Sequence, residues 1–177
     1  ARPSTPSGAR KKSTSASFTC PEIPLMRFLA TLAALLWALP AAAAGFSSLD
    51  RETARRLADP QAHRQPTVVA LWSSDCVHCK KNLGLLAALT RADRRLKVVT
   101  VATEAESPAL APLLEKTGIS GLRYAYGADN PEALAYALDP AWAGELPRTL
   151  LFDGKGGRRA VSGALTEAQV REALGVR

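Results

Sequence analysis

VVALWSSDCVHCKKNL, residues 68–83, joins an apolar, β-branched run to a pair of cysteines and then to a basic segment. A run such as residues 68–72 is typical of a strand that is buried on both faces of a sheet. After Cys79, leucines and alanines recur at helical spacing with basic residues between them, which predicts an amphipathic helix. The stretch therefore predicts a buried strand that ends just before a Cys-x-x-Cys pair at the start of a helix.

The two cysteines in this position have the properties of a thiol redox site. At a helix start, the free backbone N–H groups and the positive end of the helix dipole lower the pKa of the Cys76 thiol and raise its reactivity. Cys79, three residues on, faces the same side and lies within bridging reach. His78 is expected to stabilise the thiolate, and Asp75 to oppose it unless Asp75 caps the helix. We therefore expect Cys76 to attack and Cys79 to resolve, with His78 and Asp75 tuning the pKa.

The same cysteines have three other possible interpretations: a zinc site, haem attachment and a pair of core thiols. Zinc needs about four ligands, and after residue 44 the chain offers only Cys76, Cys79, His63 and His78 of the Cys and His type. His78 lies between the cysteines and is poorly placed to point at the same metal, so no metal site is predicted. Haem attachment requires CxxCH, whereas Lys80 follows the second cysteine. A pair of buried core thiols stays open as a hypothesis, because cysteine is a common core residue.

The segment MRFLATLAALLWALPAAAAGF, from Met26, has the three parts of a secretory signal. Arg27 forms the basic part, residues 28–39 the apolar part, and residues 40–44 the zone of small residues where cleavage is expected. An apolar run of about 12 residues is shorter than the roughly 20 needed to span a bilayer. We therefore expect a cleaved signal peptide and a periplasmic protein; an inner-membrane anchor is the alternative.

The expected leader divides the chain into three parts. Residues 1–25 are rich in Ser, Thr and Pro and carry basic residues, which predicts either a disordered extension or an over-extended gene start. Residues 26–44 are the predicted signal peptide. At 177 residues in all, the chain can bury one sizeable core, so residues 45–177 are expected to form a single domain.

Charge and cysteine count both change once the leader is set aside. The whole chain carries 23 Lys and Arg against 16 Asp and Glu. Residues 1–44 hold five of the bases and one acid, which leaves 18 against 15 and a net charge of +3. That surface predicts no nucleic-acid partner. Cys20 lies in the leader, so the only intramolecular bridge open to the exported part joins Cys76 to Cys79.

The rest of the domain alternates helices and strands. Ser47 or Ser48 is expected to cap a leading helix that ends near Pro60. Further strands are predicted at KVVTVATE, LRYAYG, RTLLFDG and RRAVSG, and helices at SPALAPLLEKTG, NPEALAYAL and LTEAQVREALGV. The order predicts an α/β fold, with a parallel pair of strands joined by a helical crossover and an antiparallel hairpin.

VVALWSSDCVHCKKNL, taken with GELPRTLLFDGKGGRRAVSGALTEAQVREAL, resembles the thioredoxin-like superfamily, and within it the exported TlpA/ResA-type thiol:disulfide oxidoreductases. In that family a Trp stands four residues before the first cysteine, as Trp72 does, and a cis-proline at the position of Pro147 faces the CxxC. The resemblance covers about residues 46–177. It implies a thioredoxin-like fold, a central mixed sheet with flanking helices and the CxxC at a helix N-terminus. It also implies that the Leu146 backbone pairs with substrate beside Pro147 and Trp72.

The same resemblance implies thiol-disulfide exchange with cysteine-containing periplasmic proteins by a monomer that needs no dissociable cofactor. A TlpA/ResA-type reductant would serve apocytochrome, in cytochrome c biogenesis, or other cysteines, and a membrane electron donor would recharge it. His78 instead resembles one position of the oxidant DsbA, which would need a membrane acceptor. A non-catalytic module that binds peptides or copper is a third hypothesis. Two departures leave the direction of electron flow open: Ala70 replaces the buried acid of thioredoxins, and Val77-His78 replaces their Gly-Pro.

Overall fold

The structure, a computed structural model, describes residues 45–175; the predicted leader, residues 1–44, lies outside the described residues. In chain order the helices and strands are β1 (Ser47–Leu49), α1 (Arg51–Ala58), β2 (Thr67–Trp72), α2 (Val77–Ala92), β3 (Lys97–Ala105), α3 (Leu110–Lys116), β4 (Leu122–Tyr126), α4 (Pro131–Leu138), β5 (Arg148–Phe152), β6 (Arg158–Ser162) and α5 (Glu167–Leu174). A 3₁₀ turn, Pro60–Ala62, lies between α1 and β2.

The strands form one mixed sheet in the order β1-β4-β3-β2-β5-β6. β1, β4, β3 and β2 run parallel, while β5 is antiparallel to both β2 and β6. The predicted parallel pair with a helical crossover and the predicted hairpin are therefore confirmed. Because β2 lies between β3 and β5, the cysteine pair that follows it emerges from the middle of one edge of the sheet.

Two apolar layers cover the sheet, and β2 contributes to both. Every residue of β2 is buried, as its β-branched run predicts. Val68, Ala70 and Trp72 pack in the layer that holds α2 and α5, whereas Val69 and Leu71 pack in the layer that holds α1 and α4. This alternation follows from the two-residue period of a strand. The start of α2 is thereby fixed against the sheet by its own apolar face.

The amino-terminal segment differs from the prediction. Ser47 and Ser48 do not cap a helix but lie in β1, which pairs in parallel with β4. Asp50 caps α1 instead, and its Oδ1 accepts from the Thr53 N–H at 2.7 Å. Pairing with the edge of β4 and the burial of Leu49 outweigh the local capping preference of serine. The local pattern does not indicate this pairing, because β4 is distant in sequence.

The other local signals behave as predicted. Asn130 caps α4 through the Ala133 N–H at 3.0 Å. Thr166 and Gln169 form a capping box at the start of α5. In the β5–β6 hairpin, Asp153 accepts from backbone N–H groups two and four residues on. These contacts form between near neighbours, which is why the sequence alone predicts them.

Candidate functional site

Cys76 and Cys79 form a disulfide at the amino terminus of α2. The S–S distance is 1.97 Å and the Cα atoms are 5.2 Å apart. Cys76 is the N-cap of the helix, and its Sγ accepts a hydrogen bond from the Cys79 N–H at 3.1 Å. Cys79 is only 1% exposed, whereas Cys76 is half-buried. Of the two sulfurs, the one on Cys76 is therefore the better placed to meet an incoming thiol.

The Leu146–Pro147 bond is cis, as the resemblance implied. Leu71 on β2 lies opposite Arg148 on β5. Because these strands are antiparallel, one further step in the register places Pro147 beside Trp72, at the end of β2. Pro147 is buried, and its carbonyl accepts from the Gly163 N–H at 2.8 Å. The proline that the sequence singled out thus lies next to the strand that leads into the cysteine pair.

Trp72 and Leu146 pack in the apolar layer that also contains Cys79. Trp72 is 1% exposed and packs in the same apolar layer as Cys79. Its ring faces that of Phe46, with centroids 6.4 Å apart. Leu146 is half-buried and contacts the apolar layers on both faces of the sheet. The edge of the site beside Cys76 is therefore apolar on its inner side.

Asp75 and His78, the two predicted tuning residues, are both exposed. Within residues 45–175, neither side chain makes a hydrogen bond or an ion pair. The helix is capped by Cys76 itself, so Asp75 does not have the capping role that would have tied up its charge. Val77, between the cysteines, is 62% exposed. The surface around the disulfide thus presents an acid, an apolar side chain and an imidazole to solvent.

Solved structures with a similar fold identify the architecture. A secreted disulfide oxidoreductase of Mycobacterium tuberculosis, homologous to E. coli DsbE, matches 64% of this chain and 82% of its own, with 16% identity and a TM-score of 0.52. The thioredoxin domain of a thiol-disulfide oxidoreductase from Bacteroides vulgatus matches 64% and 79%, with 16% identity and a TM-score of 0.52. A thioredoxin-related protein of Neisseria meningitidis serogroup B matches 62% and 82%, with 22% identity and a TM-score of 0.50.

The chain has a thioredoxin-like fold. No protein-family model and no curated protein sequence matches it. The predicted fold class, a central mixed sheet with flanking helices and a CxxC at a helix N-terminus, is confirmed. Similarity at 16–22% identity establishes this fold and leaves the activity to be argued from the site.

In this thioredoxin-like domain a carboxylate that the sequence analysis missed is attached to the loop before Cys76. Glu104, near the end of β3, accepts from the Ser74 N–H at 2.5 Å with one oxygen and from the Ser74 hydroxyl at 2.9 Å with the other. The carboxyl ends of adjacent parallel strands lie at one edge of a sheet, and β3 lies beside β2. The sequence could have pointed to Glu104 by this rule, because Glu104 is the last residue of the predicted strand KVVTVATE.

Asn82 is a second residue that the sequence analysis missed. It is 4% exposed, on α2 three residues after Cys79. Its Nδ2 donates to the Gly163 carbonyl and its Oδ1 accepts from the Leu165 N–H, both at 3.0 Å. Since the Gly163 N–H is bonded to the Pro147 carbonyl, Asn82 links the helix of the cysteines to the segment of the cis proline. Nothing local in the sequence marks this contact, which spans 81 residues.

Arg148, directly after the cis proline, belongs to a buried ion cluster. It donates to Asp139 Oδ2 at 2.6 and 3.0 Å, and Arg158 lies 3.1 Å from the other Asp139 oxygen. Asp139 is 2% exposed. Burial raises the pKa of this carboxyl, but the hydrogen bonds from Arg148 and Arg158 outweigh burial and hold the pKa below its ordinary value. Arg148 also contacts Glu145 and Ser162, so it anchors the proline segment and does not point outward.

Residues 45–175 show neither a membrane-spanning helix nor a cluster of metal-binding side chains. No helix in this part of the chain is long and apolar enough to cross a membrane. Nor do three or more His, Cys, Asp or Glu side chains in it converge as metal ligands would.

Proposed function

We propose that this protein is a thiol:disulfide oxidoreductase that exchanges disulfides with cysteine-containing proteins. One observation carries the proposal: a half-buried Cys76 is joined to a buried Cys79 at a helix N-terminus, and the strand paired with the one before it follows a cis proline. The asymmetry in exposure gives the two sulfurs different roles. A pair of core thiols would have both sulfurs buried in the apolar layer, which holds only for Cys79.

The proposed reaction begins with the dithiol form. The Cys76 thiolate attacks one sulfur of a substrate disulfide, which forms a mixed disulfide and releases one substrate thiolate. Cys79 then loses its proton, and its thiolate attacks the Cys76 sulfur. The mixed disulfide breaks, the second substrate thiolate leaves, and the Cys76–Cys79 disulfide forms. Two electrons pass to the substrate, whose two thiolates take up protons. In the opposite direction, the same steps oxidise a substrate dithiol.

Substrate binding is assigned to the segment beside the cysteines. Leu146 is proposed to pair its backbone with an extended substrate segment, with Pro147 and Trp72 forming the wall behind it. Leu146 and Pro147 directly precede β5, which pairs with β2, and β2 leads into residues 73–76, here called the cysteine loop. A substrate strand there would bring its disulfide toward Cys76. Main-chain pairing at a free backbone segment accepts many sequences, which suits a protein with several substrates.

The direction of electron flow is proposed to be that of a TlpA/ResA-type reductant, which serves apocytochrome or other periplasmic cysteines and is recharged by a membrane electron donor. Asp75 is exposed and does not cap the helix. It supports this direction, because a negative charge beside Cys76 disfavours the Cys76 thiolate. Exposed His78 supports the opposite direction, that of a DsbA-like oxidant. The reduction potential separates them: a value near −270 mV, as in thioredoxin, supports the reductant, and one near −120 mV, as in DsbA, refutes it.

A trapping experiment tests the exchange itself. Cys79→Ser leaves Cys76 able to attack but removes the thiol that resolves the mixed disulfide, so covalent partners should accumulate. The exported protein is recovered under alkylating conditions, separated on non-reducing gels, and its partners identified by mass spectrometry. The matched control is the Cys76→Ser, Cys79→Ser double variant, which should show none of these bands. If the single variant also lacks them in both oxidising and reducing growth conditions, the non-catalytic binding module becomes the better explanation.

The export of the domain is proposed on separate grounds. Residues 26–44 are proposed to be a cleaved signal peptide, which would release the domain 45–177 into the periplasm. The secreted oxidoreductase of Mycobacterium tuberculosis supports this location by its similarity of fold. Amino-terminal sequencing of the exported protein should start at Ala44 or Gly45. A mature protein that retains Met26 would instead indicate an anchored form.

A further inference from the structure

The end of β3 is irregular where it passes the cysteine loop. Ala102 lies opposite Ala125 on β4, but the next pair is Ala105 with Tyr126. Two residues of β3, Thr103 and Glu104, are therefore extra in this ladder. A bulge of this kind turns side chains away from regular pairing, and bulges are frequent beside functional sites.

Glu104 contacts the loop that carries Cys76, and Thr103 contacts the last residue of the strand before that loop. The Thr103 hydroxyl donates to the Trp72 carbonyl at 3.3 Å, and both oxygens of Glu104 are bonded to Ser74. The loop is also closed on itself, because the Cys76 N–H donates to the Ser73 carbonyl at 3.2 Å. The carboxylate of Glu104 is thus held against Ser74, which is only two residues before Cys76.

A fixed negative charge there acts differently on the two redox states. The disulfide is neutral, whereas the dithiol form carries a thiolate on Cys76 at neutral pH when the helix N-terminus stabilises it. With glutathione as reductant, two glutathione thiols supply two electrons, and the products are one glutathione disulfide, the Cys76 thiolate, the Cys79 thiol and one released proton. Glu104 repels the thiolate and leaves the disulfide unaffected, so it favours the oxidised form.

We propose that Glu104 is a positioning residue that holds the Cys76 loop and makes the Cys76–Cys79 dithiol a stronger electron donor. This inference rests on the proposed thiol-disulfide exchange, and it attributes the direction of electron flow to Glu104. It also gives the β3 bulge a role: if β3 paired regularly with β4 throughout, Glu104 would lie in that ladder.

Other ionisable residues lie close to Cys76 in the chain or on the elements packed around its loop. On the loop and helix of Cys76 these are Asp75, His78 and Lys80, and after the end of β3 there is Glu106. Across the site, Glu145 is bonded to Ser162 and Arg148 to Asp139, so both are engaged in the ion cluster. Within the described part of the chain, Glu104 is the one carboxylate that is hydrogen-bonded to the cysteine loop through both of its oxygens.

The test uses Glu104→Gln, which removes the charge but can keep both contacts. The amide oxygen accepts from the Ser74 N–H, and the amide nitrogen donates to the Ser74 hydroxyl. A carboxylate on the order of 8 Å from a thiolate, at an effective dielectric constant between that of water and about 20, should change the equilibrium constant with glutathione by about three- to thirtyfold. In Glu104→Gln the fraction of protein in the dithiol form should be larger than in the unmodified protein, and the pH midpoint for alkylation of Cys76 should be lower.

Glu106→Gln is the matched control, because Glu106 is an exposed acid two residues on that makes no hydrogen bond or ion pair among the residues described. Its shift should be below about twofold and should vanish in high salt, since exposed charges are screened. The Glu104→Gln shift should persist in salt. A shift below twofold in Glu104→Gln, or one equal to that of the control, would overturn the proposal.

A second variant separates charge from geometry. Glu104→Asp keeps the charge and shortens the side chain, so its equilibrium constant should stay within about twofold of the unmodified protein. A shift in Glu104→Asp as large as that expected of Glu104→Gln would show that contact geometry and not charge sets the equilibrium, and it would overturn the proposal even if Glu104→Gln fails to fold. The glutathione equilibrium needs no protein substrate. A shift there combined with an empty Cys79→Ser trap would therefore refute the proposed function alone.

Discussion

Asp139→Asn tests the buried ion cluster that anchors the cis-proline segment. Asp139 is 2% exposed and carries the only carboxylate, among residues 45–175, that contacts both Arg148 and Arg158. Asparagine keeps the shape but leaves the two arginines without their shared anion. Removing one partner of a buried pair costs about 3–5 kcal/mol. Arg148 keeps its contacts with Glu145 and Ser162, so we expect a loss at the lower end, about 3 kcal/mol.

The pH dependence of this loss has a definite sign. The pKa of Asp139 is lowered in the folded protein, from an ordinary value of 3.8. A carboxyl with a lowered folded pKa stabilises the protein fully above its unfolded pKa, and this stability is lost as the pH falls through the folded pKa. The difference in unfolding free energy between the two proteins should therefore be constant from pH 5 to 8. Below pH 3.8 it should shrink, because the Asp139 carboxyl takes up a proton in the unfolded state at a higher pH than in the folded state.

The assay is urea unfolding of the oxidised proteins, followed by tryptophan fluorescence at pH 7, 5, 4 and 3.5. Glu132→Gln is the control, because Glu132 is exposed in the first turn of α4, the helix that Asp139 ends. It should cost no more than about 1 kcal/mol, the usual contribution of an acid near a helix N-terminus. A loss below about 1 kcal/mol in Asp139→Asn at pH 7, or a difference that does not shrink in acid, would contradict the role assigned to the cluster.

Two further predictions concern single contacts. Asn82→Ala removes the side-chain partner of the half-buried Gly163 carbonyl and of the buried Leu165 N–H, so we expect a loss of about 2–4 kcal/mol by urea unfolding; a loss under 1 kcal/mol would show that these groups find other partners. Gly154 has φ +78°, and an added Cβ would lie 2.6 Å from the Gln65 backbone. Gly154→Ala should therefore lower the thermal stability more than Gly163→Ala does, because Gly163 has φ +87° but open space around it. Equal losses of thermal stability in the two variants would refute the clash.

Much of the fold followed from local patterns in the chain. The apolar run of β2, the leucine spacing of α2 and the hairpin at Asp153 each depend on residues within a few positions of one another. The amino-terminal prediction failed for the opposite reason. Whether Ser47 caps a helix or joins a strand depends on β4, whose Tyr124 is its partner 77 residues away. No local preference records that partner.

The candidate site shows the same division. Cys76, Cys79 and Pro147 were predicted from spacing and resemblance, and the structure contains the disulfide and the cis bond. Glu104 and Asn82 were missed, because their partners lie 30 and 81 or more residues away and an acid or an amide in those positions has no distinctive spacing.

The family resemblance pointed to the proline at position 147, whereas the sequence by itself determined the types and order of most helices and strands and the position of the cysteine pair at a helix start. These depend on backbone preference, apolar period and capping, all of which act between near neighbours. Only the tertiary structure decided the strand order, the burial of Cys79 relative to Cys76, the inward turn of Arg148 and the attachment of Glu104 to the cysteine loop. Each of these depends on which distant segments pack together, because hydrogen bonds and burial are settled by the partner as much as by the residue.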